Sequence, residues 1–179
     1  MRNRLVKNKK GESGQMLAET MVALAMVVIG LLGLMALLSY AIGLNKVIAD
    51  QYVATYLAAE GVEVVKNIID GKVADGQGFG AGEGYFEVEW NSAEVSLISA
   101  AEEEAKSLTR SLSFDPASKR YSYQSGGGAE NTPFKRIIRL QQSDSPEKIA
   151  VNSIVFWKAR AGGTFEINLE DAFFNWKVQ

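Results

Sequence analysis

The sequence predicts an α+β protein: a long N-terminal α-helix, membrane-spanning in its first half and amphipathic in its second, packed on a C-terminal antiparallel β-sheet. Three observations carry this. Met21–Leu38 is a run of 18 residues without a charge, long enough to span a bilayer and longer than a usual signal-peptide core. Between Leu44 and Ile68 apolar or small residues recur in steps of three, four and seven, which marks one face of a helix. Beyond Gly84 the period falls to two, the mark of half-buried strands.

The elements follow in order, as segments 1–14, 15–44, 45–70 and 71–179. Residues 1–14 are basic and polar, with Arg2, Arg4, Lys7, Lys9 and Lys10 against Glu12. Lys46 and Asp50 nearly cancel beyond the apolar run. The excess of Lys and Arg predicts a cytoplasmic N-terminus and a C-terminal part outside. Residues 15–44 are the predicted membrane helix.

Residues 45–70 carry the helix out of the bilayer. Their apolar face is predicted to be Leu44, Val47, Ala54, Leu57, Ala58, Gly61, Val65 and Ile68, with Asp50, Glu60, Glu63 and Lys66 mainly elsewhere. The small residues Ala54, Ala58, Ala59 and Gly61 would let a sheet approach closely. From Gln15 to Ile69 such a helix measures roughly 80 Å at about 1.5 Å per residue. The stretch from Asp70 to Gly84 contains six glycines and is expected to end the helix in a loop. Its spacing matches neither GxGxxG nor a P-loop.

In the C-terminal part, "GYFEVEW" (84–90) alternates Phe86 and Val88 against Glu87 and Glu89. "SAAEEEAKSL" (99–108) predicts a short helix with Ser99 and Glu102 spaced as a capping box. "RYSY", "FKRIIRLQQ" and "KIAVNSIVFWKARAGGTFEINLE" predict further strands, the last folded at Gly162-Gly163 into a hairpin. There Phe165, Ile167 and Leu169 share one face, opposite Glu166, Asn168 and Glu170. Pro116, Pro133 and Pro146 are expected between strands, where their missing N–H does least harm. The aromatic end "AFFNWKVQ" is expected to pack on the sheet.

Composition excludes several functions. The chain has no cysteine and no histidine, which removes disulfide frameworks, Ser-His-Asp and Cys-His nucleophiles and the common zinc sites. The first fourteen residues hold five basic side chains and one acidic, so in a chain of net charge −2 the remainder stands at −6. Such an outer part is a poor nucleic-acid binder. No enzyme activity, cofactor or metal site is expected. Asp70 and Asp75 are too isolated for calcium, which takes six to eight oxygen ligands.

One arrangement stands apart: a basic leader, Gly14, then "QMLAE" with Glu19 fifth after the glycine, then an unbroken apolar helix. It resembles the signal of type IV prepilins. The stretch "LLGLMALLSYAIGLNKVIADQYVATYLAAEGVEVVKN" is similar to minor pilins of the PilV type and to minor pseudopilins of type II secretion. The later strands resemble, more loosely, the sheet of prepilin-type proteins. The resemblance implies a pilin-like fold, cleavage between Gly14 and Gln15 by a prepilin peptidase, and N-methylation of Gln15. It implies that Glu19 pairs in the filament with the new amine of a neighbouring subunit. Val22, Leu24, Val27, Leu31 and Leu34 would hold the subunit in the lipid bilayer and then repack against other subunits. The implied partners are the peptidase, other pilin or pseudopilin subunits and an inner-membrane assembly platform.

The chain also departs from the family. Gln15 is polar where many members have Phe or Met, no proline interrupts the apolar helix, and no C-terminal disulfide can form. These departures favour a minor subunit. Two other readings use the same residues. A single-pass signal-anchored surface protein with a binding ectodomain would keep residues 1–14. A secreted protein cut by ordinary signal peptidase would use the small-x-small "SYA" at 39–41.

Overall fold

A computed structural model of the chain describes residues 12–80, 82–124, 128–142, 147–159 and 162–175. Residues 1–11 of the basic leader, Pro146 and the last four residues of the aromatic end lie outside that set. The chain forms two compact units, Met1–Val47 and Ile48–Gln179. Helix α1 (Glu12–Ala74) contributes to both.

The second unit holds the sheet. Its strands are β1 (Gly84–Glu87), β2 (Ser96–Ser99), β3 (Ser111–Asp115), β4 (Arg120–Ser122), β5 (Glu130–Gln142), β6 (Lys148–Lys158) and β7 (Thr164–Phe174), with α2 (Glu102–Leu108) after β2. All pairings are antiparallel, and β5 is the centre. One edge of β5 is shared: β1 pairs with Ile138–Leu140, and β3 with Glu130–Lys135. The other edge pairs with β6 from Lys135 to Gln142, and β6 pairs with β7 over eleven consecutive residues. β2 extends β1, and β4 extends β3.

Alternation along β5 sends side chains to two cores. Phe134, Arg136, Ile138 and Leu140 face the C-terminal part of α1. There Ala54, Leu57 and Ala58 meet Leu112, Tyr123, Val155 and Trp157, while Val65, Ile68, Ile69 and Val73 meet Phe86, Val88, Ile149 and Val151. Ile137 faces the other side with Tyr85 and Ile154, under Ala105 of α2. The predicted helix face therefore holds at Ala54, Leu57, Ala58, Gly61, Val65 and Ile68. It fails at Leu44, which is exposed, and at Val47, which is only partly covered. Gly61 marks the closest approach: a Cβ there would lie 2.5 Å from Ser153 Oγ and 2.9 Å from Ile138 Cδ1.

Four local expectations are corrected. The helix runs on past Gly71 to Ala74, because Gly71 keeps a negative φ and Val73 adds one more buried residue to the apolar face. It stops at Gly76, whose φ of +71° permits a Schellman ending. Gly76 N–H donates to Val73 O, and Gln77 N–H to Lys72 O. The capping box does not form: α2 starts two residues late for it, and Ala101 caps without a side-chain bond. Ser99 ends β2 instead, with its Oγ donating to Glu104 Oε2 and accepting from Ala101 N–H.

"GYFEVEW" is covered on both faces rather than one, since Tyr85 is buried as fully as Phe86. Pro133 lies inside β5, not between strands. It is tolerated because β6 pairing begins only at Lys135 and the β3 register is irregular opposite it. Pro116 does sit in the turn between β3 and β4. Gly162 adopts the positive φ expected of the β6–β7 turn. Phe165 and Ile167 pack on the core as expected, but Leu169 remains 37% exposed.

Candidate functional site

Helix α1 between Gln15 and Val47 is where the predicted site residues fall. One helix of the described chain, this one, is long and apolar enough to span a membrane. Val22, Leu24, Val27, Leu31 and Leu34 are all exposed, as is every other residue from Gly14 to Lys46. None of the described residues covers this surface. Leaving so many large apolar side chains in water forgoes about 1.5–3 kcal/mol for each one that burial would recover. A surface of that kind requires a bilayer or other polypeptides as its solvent.

Gly14 and Gln15 lie in the first turns of α1, and Glu19 one turn further on. A Cβ added at Gly14 would meet nothing within 4 Å. Packing among the described residues therefore does not demand glycine there, although glycine in a helix costs about 1 kcal/mol relative to alanine. Glu19 has no ion pair among the described residues. Its neighbour Thr20 turns its hydroxyl back onto the Leu17 carbonyl at 2.9 Å, which satisfies that polar group within the helix. The residues named from the sequence thus lie on one helix, exposed among the described residues.

The second unit contains polar clusters that the sequence did not single out. Arg136 is 1% exposed, yet its guanidinium is held: Nη1 donates to Leu57 O and Nη2 to Val88 O, both at 2.8 Å. Glu60 Oε1 lies 3.5 Å from Nη1. The Arg136 carbonyl accepts from Tyr123 Oη and Thr109 Oγ1. Burial pushes the Tyr123 hydroxyl up to about 12.

Beside it, the Glu87 carboxylate accepts from Thr109 Oγ1 and from the Arg110 backbone and guanidinium. Burial alone would raise its pKa, but these hydrogen bonds outweigh burial and hold it below the usual carboxylate range. On the other face, Lys106 bridges Glu102 and Glu166 at 2.8 and 2.9 Å. The hydrogen bond to Glu102 is the main cause of its raised pKa, against burial and with help from Glu166. Each cluster joins separate elements, although Arg136 Nε and Glu60 Oε1 are buried without a hydrogen bond among the described residues. Among the described residues no group of acidic side chains is placed to hold a metal ion. Alternation in "FKRIIRL" was the available signal for Arg136, since it stands in phase with Phe134 and Ile138.

Comparison of the chain with family models, with characterised proteins and with solved structures finds no match.

Proposed function

We propose that the chain is a structural, minor subunit of a type IV pilus or related pseudopilus. In this reading a prepilin peptidase cuts after Gly14 on the cytoplasmic side, and Gln15 becomes the methylated N-terminus. The helix from Gln15 holds the subunit in the inner membrane, with the sheet unit outside, until an assembly platform moves it into a filament. The observation that carries the reading is the uncovered apolar surface from Met21 to Leu38, introduced by Gly14 and Glu19 five residues apart. That surface needs lipid before assembly and other subunits after it. The spacing supplies a cleavage point and a charge to pair with the amine that cleavage creates.

Glu19 then acts as a register key. An acid at the centre of a membrane helix costs about 2.5–3.5 kcal/mol, and less near the edge. A facing ammonium offsets that cost only in the correct stagger, so wrong staggers leave a buried charge unpaired. Glu19→Ala is expected to leave insertion and cleavage intact while lowering incorporation into filaments about tenfold, the equivalent of ~1.4 kcal/mol. Quantifying subunit in sheared filaments against subunit in the membrane tests this, and equal incorporation would remove Glu19 from the interface.

A further inference from the structure

We propose that the free edge of β7 docks an extended segment of a partner protein that carries lysine or arginine at alternate positions. The proposal stands independently of the filament reading. β7 pairs with β6 through eleven consecutive residues and, among the described residues, has no strand on its other side. In an antiparallel ladder the N–H and C=O of successive residues point to opposite sides. Two bonds set the phase. Asn175 N–H turns inward to Glu147 O, and Ala172 N–H turns away from β6 to bond Asp171 Oδ1 at 2.7 Å. The even-numbered residues therefore present their backbone groups outward.

Asp171 closes one end of this edge by occupying the Ala172 N–H. Among the described residues the groups left open before that end are those of Thr164, Glu166, Asn168 and Glu170, of which the last three suffice to pair a strand of about five residues. No proline or bulge interrupts them.

Charge selects the occupant. Glu166, Asn168 and Glu170 share one face, and their side chains are held from behind. Lys106 Nζ binds Glu166, while Asn152 Nδ2 donates to Asn168 Oδ1 and Glu170 Oε2, both at 3.2 Å. Two copies pairing antiparallel about Asn168 would set Glu166 against Glu170, and like charges directly opposite destabilise a strand pair. A segment with Lys or Arg at alternate positions sets one cation opposite each carboxylate, four residues apart, with a third opposite Asn168. The edge at β4 offers no equivalent. There Glu89 Oε1 accepts from Tyr123 N–H, and Trp90 stacks under the Arg120 guanidinium at 4.1 Å.

The test uses the full chain in detergent and a fluorescent ten-residue peptide of alternating threonine and lysine. A second peptide carries two lysines whose backbone nitrogens are methylated, which keeps their charge but removes the N–H groups that would donate to the β7 edge. Fluorescence anisotropy is expected to give saturable binding, at least tenfold weaker for the methylated peptide and for the Glu166→Lys/Glu170→Lys chain. Hydrogen exchange at the Glu166, Asn168 and Glu170 amides is expected to slow when the first peptide binds. Equal binding of both peptides, or unchanged exchange at those amides, would overturn the proposal. So would protection of the same amides that rises with protein concentration alone, which would make β7 a self-pairing edge.

Discussion

Gly61 is the residue on which helix-to-sheet spacing turns. A methyl group there would press on Ser153 Oγ and Ile138 Cδ1 inside a packed core. Overpacking of this kind costs about 1–3 kcal/mol, against the ~1 kcal/mol that alanine gains as a helix former. Gly61→Ala is expected to lower the thermal midpoint. Ser153 Oγ is buried without a hydrogen-bond partner, so Ser153→Ala alone should cost little, and the double variant should recover most of the loss. A Gly61→Ala chain as stable as the parent would contradict the close-approach account.

Glu87 yields the pH prediction. Its folded pKa is depressed, so its contribution is fully present above the ordinary carboxylate range and is lost as pH falls through the lower, folded value. Between pH ~5 and ~2 the parent should therefore lose stability faster than Glu87→Gln. Parallel denaturation curves at each pH would count against this.

At the scale of elements, two polar bridges look alike and should behave differently. Arg136 is enclosed and satisfies carbonyl groups of α1 and of the chain after β1. Lys106 ties α2 to β7 near the surface. Removing a buried, charged donor leaves buried acceptors unmet, so Arg136→Ala should cost about 3–5 kcal/mol. Partly exposed pairs contribute little, so Lys106→Ala should cost under about 1 kcal/mol. Urea denaturation of the two variants separates the cases, and similar losses would mean the burial argument is mistaken.

The elements also mark what a sequence can disclose. Periodicity located the helix face at Ala54–Ile68 and the strands from Phe134 onward, because core burial imposes the period directly. It missed β2 and β3: β2 is four residues with its apolar pair adjacent, and β3 alternates Leu112 and Phe114 against serines over only five residues, too short a run to stand out. Glycine content placed the helix end four residues early, since Gly71 and Gly76 read alike until their φ angles differ. Arg136 was legible only as a position in the strand. Its partners, Leu57 O and Val88 O, are backbone atoms distant in sequence.

At the scale of the whole molecule, two kinds of surface divide the chain. From Ile48 onward the helix buries its small and apolar face against its own sheet. From Gly14 to Lys46 every residue is exposed among the described residues. The sequence made that contrast visible as the step from an unbroken apolar run to a spaced one. What it could not supply was the exposure of Met21–Leu38 among the described residues. The functional account rests on the short segment before that run. The mass of the mature N-terminus, measured by mass spectrometry of the purified membrane-extracted protein, tests it most directly. The account predicts an N-methylated terminus at Gln15, whereas a chain still carrying residues 1–14, or one cut beyond Ser39, would contradict it.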